Sequence, residues 1–481
     1  MEVERVTVRR APWAVRRPPW ALGRHIRSWV PGPWSWVLVA AIVFAVHMEA
    51  GSSAFANASV DHRSLGRRWL DPAKQQGAVR VFSGARLIDG DGRVIAPRGV
   101  IVVRNGRIEA VGPESKTAVP KDVEPRYRID LTGQTVMPGI VNAHGHVGDT
   151  SGMQSGPQFY TEANLLRQLR LYASYGVTTV VSLGGDAEAG FKLRDAQATP
   201  YGLDRARLFV AGPVITATTP EAARAEVNRI AAMKPDWLKI RVDDQLGSAR
   251  KMPMEAVRAV IEQGHARGLK VAVHIFYLED AKAVLKAGAD FIAHSVRDLP
   301  VDDEFIGLLK ARNICYCPTF TREVSTFVYA SEAPFFSDPF FLKGRDLAAV
   351  TQLLDPARQA QMADSKSAAA YKAGLQVAIA NAKRLVAAGV TIAAGTDSGP
   401  PARFQGYFEH LELELMAAAG LTPQQVVKAA TGDAARCMGL KDVGYLRAGA
   451  WADFIALKGD PLKDIKATRT LTGVWIGGRV E

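Results

Sequence analysis

The chain has 481 residues, of which 48% are hydrophobic and 22% are charged, so it is long enough for more than one domain and has the composition of a globular protein. The formal net charge is +12 at pH 7, but the basic residues are spread along the chain, without an Arg/Lys block or interleaved aromatic residues. This pattern disfavours a nucleic-acid-binding surface, and we interpret the excess charge as a solvated surface.

The first 56 residues differ from the rest of the chain. A basic stretch is followed by an apolar run from Trp34 to Val46 and then by Ala54-Phe-Ala56, an order typical of a secretory signal peptide. We therefore expect an exported protein, periplasmic or secreted, with a polar linker over residues 57–77. The alternative is an uncleaved leader that anchors the chain to a membrane, although a span needs roughly 20 apolar residues and this run is shorter.

Both ends of the remaining chain carry strand patterns. Short alternating runs at Val79–Phe82, Gly99–Arg104 and Arg107–Val111 are separated by turns rich in Gly and Asp, and similar runs return near the C-terminus. These runs predict a small β-sandwich built from residues 78–137 and 436–481.

The middle of the chain, residues 138–435, alternates strand and helix patterns. Pro253–Arg267 and Asp280–Ala287, for example, have the hydrophobic periodicity of helices. Such alternation is typical of an α/β fold with a parallel sheet, and we predict a (β/α)8 TIM barrel.

The strongest chemical signal begins with two histidines that end an apolar run. His144 and His146 are two residues apart, so on a strand they share one face and can bind one ion. The pair alone is a weak signal, since two histidines on a strand are more often ordinary polar residues. Four further groups strengthen it, each at the end of a short apolar segment: Lys239, His274, His294 and Asp397.

Alternation along each strand indicates where these groups point. It places Lys239 opposite Leu238, and His294 opposite Phe291 and Ala293. In a parallel barrel the apolar outer face packs on helices, so the polar groups would point into the mouth, where such barrels carry their active sites.

The order of the six groups resembles the amidohydrolase superfamily, specifically its two-metal members with a carboxylated lysine. Met137-Pro-Gly-Ile, His294-Ser, Gly395-Thr-Asp and Ala450-Trp-Ala-Asp-Phe-Ile match local patterns of that family over residues 78–481. The likeness is to the branch that holds prolidases and imidazolonepropionases. Imidazolonepropionases use one metal and lack the bridging lysine, so Lys239 favours the dipeptidase side of the branch.

The resemblance implies a centre of two divalent ions, which we expect to be zinc. One ion would be bound by His144, His146 and Asp397, the second by His274 and His294, with carboxylated Lys239 as the bridge. A hydroxide shared by the two ions would attack the amide carbonyl, and Asp397 would move the proton, first as general base and then as general acid.

The implied function is hydrolysis of an amide bond in a small molecule, most simply a dipeptide or an N-acyl amino acid. A cyclic-amide hydrolase of the imidazolonepropionase kind, or a lactone hydrolase, is the alternative. A binding protein without catalysis is a remote alternative, because it would be expected to have lost ligands and all six positions are filled.

Four residues near the predicted strand ends are candidates for substrate binding. Arg297 or Arg322 could bind a substrate carboxylate, or could be surface residues paired with the acids that follow them in sequence. Tyr277 could hydrogen-bond the reacting oxygen or could simply pack. His410 could contact the substrate, or could cap or pack the helix that it begins.

Two further expectations concern packing. The segment from Thr321 to about Asp364 carries six aromatic residues and could be a lid over the active site. The alternative is a helical insertion that packs on the barrel or on a second subunit of a homo-oligomer. Cys315 and Cys317, two residues apart, are poorly placed to bond together, so we expect buried reduced thiols near strand 7 of the predicted barrel.

Overall fold

The structure is a computed structural model that describes residues 79–480, so the predicted leader (1–56) and linker (57–77) lie outside the described residues. The strands are β1 (Val79–Ile88), β2 (Val94–Arg104), β3 (Arg107–Pro113), β4 (Arg128–Asp130), β5 (Thr135–Pro138), β6 (Ile140–Gly145), β7 (Thr150–Ser151), β8 (Gln154–Ser155), β9 (Val177–Ser182), β10 (Arg207–Val210), β11 (Leu238–Val242), β12 (Val271–Ile275), β13 (Phe291–Ala293), β14 (Cys315–Cys317), β15 (Phe454–Leu457), β16 (Leu471–Ile476) and β17 (Arg479–Val480).

The helices lie between and after these strands. They are α1 (Glu162–Ser174), α2 (Glu188–Asp195), α3 (Pro220–Ala231), α4 (Met254–Ala266), α5 (Leu278–Lys286), α6 (Asp303–Ala311), α7 (Phe320–Val324), α8 (Pro339–Leu342), α9 (Leu347–Leu353), α10 (Pro356–Ala363), α11 (Lys366–Ala387), α12 (Tyr407–Ala418), α13 (Pro423–Ala429) and α14 (Gly432–Cys437). The fold is therefore mixed α/β, and α4 and α5 confirm the two helices predicted from periodicity.

Strands from both ends of the described chain form one sheet. Its order is β17-β16-β15-β5-β1-β2-β3, with β4 beside β1. The two ends join where β5 pairs antiparallel with β15, placing Met137 opposite Ile455. On one face of this sheet the rings of Phe82, Phe454 and Trp475 pack together, with centroids 4.9–5.3 Å apart. This confirms that both ends share one β-structure.

The intervening strands pair in parallel, apart from the short antiparallel pair of β7 and β8. One sheet has the order β10-β9-β6 and another the order β11-β12-β13-β14. Single parallel bridges extend these pairings: Ile215 with Ile240, Tyr316 with Ile392, and Gly145 with Ser398. His144, His146, His274 and His294 lie at or just beyond the carboxyl ends of parallel strands, Lys239 is the second residue of β11, and Asp397 lies beside the bridge that returns to β6.

Apolar side chains on the two faces of these strands join different clusters. Leu238, Val273 and Ile292 belong to a large cluster that includes the surrounding helices. Ala272 and Phe291 belong to a small cluster enclosed by the strands. A buried ion pair then joins the parallel strands to the terminal sheet, because Arg207 Nε in β10 lies 2.6 Å from Asp453 Oδ2 just before β15.

The insertion after β14 packs its aromatic residues within the chain itself. Tyr329, Phe335, Phe336 and Phe341 are buried in one cluster with Tyr175, Tyr407 and Phe408 of the flanking elements. Of the two sequence interpretations, the structure therefore shows the packed helical insertion.

The expectation of reduced thiols near strand 7 is wrong for Cys315 and is confirmed for Cys317. Cys315 in β14 and Cys437 at the end of α14 form a disulfide, with their Cα atoms 5.9 Å apart, and Cys317 is a buried free thiol. The partners are 122 residues apart in sequence, so their proximity depends on the tertiary fold rather than on local spacing. Between residues 79 and 480, no helix combines the length and apolar character that a membrane crossing needs.

Candidate metal centre

Three histidines surround the Asp397 carboxylate. Its Oδ1 lies 2.8 Å from His146 Nε2 and 3.6 Å from His144 Nε2, and its Oδ2 lies 4.0 Å from His294 Nε2. Ligand atoms of His144, His294 and Asp397 all fall within 4.8 Å of one another, and all three residues are buried. This spacing suits one metal ion among them.

The two remaining predicted ligands adjoin this group. Lys239 Nζ lies 3.0 Å from His144 Nε2. The His274 ring is 4.2 Å from the His294 ring, which is 4.6 Å from the His144 ring, measured between centroids. All six residues singled out in the sequence are thus brought together in one buried cluster.

The backbone conformation, rather than strand alternation, sets the direction of the His294 and Asp397 side chains. Phe291 and Ala293 face the enclosed cluster, so the expectation that they lie on the outer face is wrong. Continued alternation would turn His294 outward, but His294 has a φ of +76°, and Asp397 likewise has a φ of +56°. Left-handed conformations are uncommon in non-glycine residues and are typical of functional sites.

A close approach of two segments also requires a glycine. A Cβ on Gly395 would lie 2.6 Å from Cys317 Sγ and 2.8 Å from the His144 backbone nitrogen. Any larger residue would push the segment that carries Asp397 away from β6, which carries His144.

Hydrogen bonds outside the cluster orient three of the imidazoles. His146 Nδ1 donates to the Gly184 carbonyl at 3.0 Å, and His274 Nε2 donates to Asp243 Oδ2 at 2.8 Å. His294 Nδ1 lies 2.7 Å from Thr319 Oγ1. Each contact occupies one ring nitrogen and leaves the other as the ligand atom, as is common around metal-binding histidines.

The protonation states also fit a metal site. Burial lowers the pKa of His144 and His294 well below the usual value, and lowers the pKa of His274 to about 3, so these imidazoles are neutral at pH 7. Neutral imidazole is the form that binds metal. Burial also lowers the pKa of Lys239 to about 8, which increases the share of free amine. Imidazoles with a carboxylate are donors that suit a divalent ion.

Arg403 is a site residue that the sequence did not reveal. Its guanidinium Nη1 forms an ion pair with Asp397 Oδ2. Burial alone would raise the pKa of Asp397, but the Arg403 guanidinium and the two neighbouring histidines hold it well below the usual range. Arg403 lies six positions beyond Asp397 in an irregular segment, where neither periodicity nor a motif marks it.

The alternative that Arg297 is a surface residue is wrong. Its side chain is fully buried, and Nη1 donates to the carbonyls of Ile275 and Ser295 at 3.2 and 2.8 Å. Its acidic partner is Glu323, 3.2 Å away, rather than one of the acids that directly follow it. Nη2 of Arg297 has no hydrogen-bond partner among the described residues, so a role of Arg297 in substrate binding stays a prediction.

Arg322 remains at the edge of the cluster. Its side chain is 10% exposed, and Nη1 lies 3.0–3.1 Å from both oxygens of Glu323, the neighbour expected from the sequence. Tyr277 is also partly exposed, and its hydroxyl donates to Asp244 Oδ1 at 2.8 Å. The roles of Arg322 and Tyr277 in substrate binding stay predictions.

The substrate-binding prediction for His410 is wrong, and the packing alternative holds. The residue is completely buried in α12. Its Nε2 donates to the Tyr175 carbonyl at 2.7 Å, and its Nδ1 lies 3.0 Å from Thr468 Oγ1. Both ring nitrogens are therefore occupied by partners within the chain.

A buried cluster of histidines, a lysine and an aspartate beside the carboxyl ends of parallel strands defines a metal-dependent hydrolase. Residues 135–480 match the model of the amidohydrolase family, and the chain belongs to that family. It is therefore a metal-dependent amidohydrolase, an enzyme that hydrolyses carbon–nitrogen bonds.

Individual relatives cover most of the chain. An ochratoxinase from Aspergillus niger is 26% identical over 461 residues, which cover 84% of this chain and 86% of that protein. An imidazolonepropionase from Deinococcus radiodurans is 26% identical over 421 residues, covering 82% and 92%. The crystal structure of a putative prolidase from Bifidobacterium longum is 25% identical and covers 84% of this chain and 95% of its own, with a TM-score of 0.66.

Proposed function

We propose that the protein hydrolyses the amide bond of a dipeptide or an N-acyl amino acid. The observation that carries this proposal is the buried Arg322 guanidinium, whose charge interacts with Asp397 and His274 of the metal cluster. Burial disfavours its charge, but Glu323 and Asp397 both raise the pKa of Arg322. A charged, preorganised guanidinium next to the reacting centre is suited to a substrate carboxylate, which both proposed substrate classes place beside the bond to be cut.

The finer architecture is part of the proposal. The parallel pairings run from β6 through β9 and β10 to β11–β14 and return to β6, which supports a (β/α)8 barrel over residues 138–435. Residues 78–137 and 436–481 would form the β-sandwich domain beside it.

The centre would hold two divalent ions, zinc by preference, on the six clustered residues. Carboxylation of Lys239, supported by the lowered pKa of its amine, would convert a poor ligand into an anionic bridge. Bound ions supply a Lewis acid and lower the pKa of water. The protein's own part is proton transfer: Asp397 accepts the proton of the attacking water and returns it to the leaving nitrogen.

Hydrolysis of a cyclic amide or a lactone is the second candidate. The similarity to an imidazolonepropionase favours it, while the presence of Lys239 in the cluster favours the first proposal. A binding protein without catalysis is disfavoured because all six ligand positions are filled and brought together.

We also propose that the protein is exported to the periplasm or secreted, and that the mature chain begins near Asn57. The Cys315–Cys437 disulfide supports this location, since disulfides persist in oxidising compartments. The protein would bind a small molecule rather than nucleic acid. It would be attached to a membrane only if the leader is uncleaved. A homo-oligomer is compatible with this proposal.

The test compares free acids with their amides. The metal-loaded protein should cleave dipeptides or N-acyl amino acids at least ~10-fold more efficiently, in kcat/KM, than the same molecules with an amidated carboxylate, because an amide lacks the charge that Arg322 binds. The Arg322→Met variant should remove this preference.

A control is available in the short 3-10 helix Pro125–Tyr127 that precedes β4. Arg126 also pairs with a nearby acid, Glu124 at 2.9 Å, and stacks on a tyrosine, as Arg322 does on Tyr371. Arg126→Met should leave the preference unchanged. Equal losses on acids and amides in Arg322→Met would contradict a carboxylate role and favour the cyclic-amide or lactone candidate.

A further inference from the structure

Each carboxylate oxygen of Asp397 has a close neighbour. Oδ1 lies 2.8 Å from His146 Nε2, and Oδ2 forms the ion pair with Arg403. Arg403 Nη1 also lies 3.4 Å from the Asp397 carbonyl oxygen, so the guanidinium contacts both the backbone and the side chain of this residue. Rotation of the carboxylate would break one of these contacts.

Arg403 is presented by a tight loop, residues 399–406, that leaves little room for other conformations. The loop closes on itself, because Gly399 N–H donates to the Arg403 carbonyl and Arg403 N–H donates to the Pro400 carbonyl, each at 3.0 Å. Gly399 has a φ of +116°, and a Cβ there would lie 2.2 Å from the His146 carbonyl oxygen. Ala402 has a φ of +65°, an unfavourable conformation for alanine.

The insertion after β14 holds this loop in place. The buried Tyr329 hydroxyl donates to the Ala402 carbonyl at 2.6 Å, directly at the strained residue. Phe404, next to Arg403 in sequence, packs its ring 4.9 Å from that of Phe341 in the same aromatic cluster. A backbone conformation of this kind persists only where surrounding contacts enforce it.

We propose that Arg403 is the positioning residue for Asp397, and that the insertion acts on the reaction through the Tyr329–Ala402 hydrogen bond that fixes the loop. This inference rests on the proposed function insofar as Asp397 carries the proton. Nη1 of Arg403 sets the direction of Oδ2, and the insertion sets the position of Arg403. Proton transfer is sensitive to such geometry, since a misplacement of about 1 Å can cost roughly 100-fold in rate.

Four variants separate this role from a general contribution to folding. Arg403→Met removes the ion pair, and Arg403→Lys retains a positive charge on a shorter side chain that ends in a single nitrogen. Tyr329→Phe removes only the hydroxyl that holds the loop. Tyr175→Phe is the matched control, because the Tyr175 hydroxyl bonds the carbonyls of Phe340 and Phe341 at 2.9 and 3.1 Å in the same cluster but does not bond the loop.

Two readouts are measured on each variant. The first is kcat and KM for an amide substrate. The second is the visible absorption spectrum of the cobalt(II)-loaded protein, which responds to the geometry of the metal's ligands and requires no substrate. If wild type cleaves no tested amide, the proposed substrate class fails, while the cobalt spectra still decide the positioning role.

Arg403→Met should lower kcat by ~10–100-fold with KM within about twofold, since the contact acts on the proton carrier rather than on substrate binding. Arg403→Lys should recover part of this loss. Tyr329→Phe should lower kcat by a few-fold and shift the cobalt spectrum in the same direction as Arg403→Met, whereas Tyr175→Phe should change neither.

The double variant Tyr329→Phe/Arg403→Met should be no worse than Arg403→Met alone, because both changes remove one function. Additive losses of kcat in the double variant would overturn the proposal. So would cobalt spectra of Arg403→Met and Tyr329→Phe that match the wild-type spectrum, or equal effects of Tyr329→Phe and Tyr175→Phe.

Discussion

Asp243, a single residue outside the metal cluster, orients the ring of His274, which we predict to be a metal ligand. Its carboxylate is almost fully buried, with Oδ2 accepting from His274 Nε2 and Oδ1 accepting from the Gln245 backbone N–H, both at 2.8 Å. The first contact selects the tautomer of His274 and leaves Nδ1 for the metal. Adjacent Asp244 binds Tyr277 instead.

Asp243→Asn should therefore weaken metal binding by ~10–100-fold, because an amide holds the ring without the charge that strengthens the ligand. Competition with a chelator measures this affinity. Asp244→Asn is the matched control, since it changes the neighbouring carboxylate without touching His274, and its metal affinity should equal that of wild type. Equal affinities in all three proteins would contradict the orienting role of Asp243.

At this scale the sequence revealed the metal ligands but not the residues that orient them. His144, His146 and Asp397 stand in local patterns, and their chemistry is apparent from residue type and order. Asp243 and Arg403 lie in irregular segments, and only the tertiary fold brings them to a ligand. The burial of Arg297 was missed for a similar reason, because its position beside Glu323 depends on an element from another part of the chain.

The elements follow their sequence patterns until the backbone leaves regular geometry. Helices α4 and α5 begin and end within two residues of the predicted bounds. In β13, by contrast, we placed Phe291 on the outer face because strict alternation puts it opposite His294. The left-handed conformation of His294 breaks that alternation, so both side chains lie on the inner side. Period-two reasoning holds inside a strand and fails at the strand end, where ligands lie.

His410 in α12 allows a test of one contact between elements. Burial lowers the pKa of His410 to about 3, below the 6.5 of an unperturbed histidine. In the unfolded chain the ring binds a proton as pH falls through 6.5, while in the folded chain it stays neutral. The contribution of His410 to the free energy of unfolding is therefore fully present above pH 6.5 and declines as the solution is acidified.

Between pH 6.5 and pH 5 the protonation of His410 in the unfolded chain should lower the free energy of unfolding of wild type by about 2 kcal/mol. The free energy of unfolding of His410→Gln should not show this decrease. Denaturant unfolding at the two pH values measures the difference, with metal supplied equally to both proteins. KM should be unchanged by the substitution. A variant with the wild-type pH dependence, or with a raised KM, would contradict a packing role.

The molecule as a whole is held together by contacts between distant parts of the chain. The pairing of β5 with β15 unites the two ends, and the buried Arg207–Asp453 ion pair ties them to the parallel strands. Asp453 also accepts the Gly477 backbone N–H at 2.7 Å, which gives the motif at Ala450-Trp-Ala-Asp a structural role. The sequence indicated that both ends are β-rich, but not these partners.

The Cys315–Cys437 disulfide should contribute about 2–5 kcal/mol to the free energy of unfolding, since it closes a long loop. Adding reductant should lower the denaturant midpoint of wild type to that of Cys437→Ser. Reductant should have no effect on the variant, which serves as the control. A wild-type midpoint that is insensitive to complete reduction would contradict this contribution.

Export and cleavage of the leader are tested by mass spectrometry of the protein from its native cell. An N-terminus near Asn57 is expected. Recovery of intact residues 1–56 would contradict cleavage and favour a membrane anchor.

The most direct test of the central claim is a titration of metal-depleted protein with zinc, in which turnover of an amide substrate and bound metal per chain are measured on the same samples. We expect no turnover without metal, a rise that is complete only at two ions per chain, and loss of the second ion in Lys239→Ala, with partial recovery on adding a short carboxylic acid. Full turnover with one ion, or in Lys239→Ala without added acid, would contradict a centre bridged by Lys239.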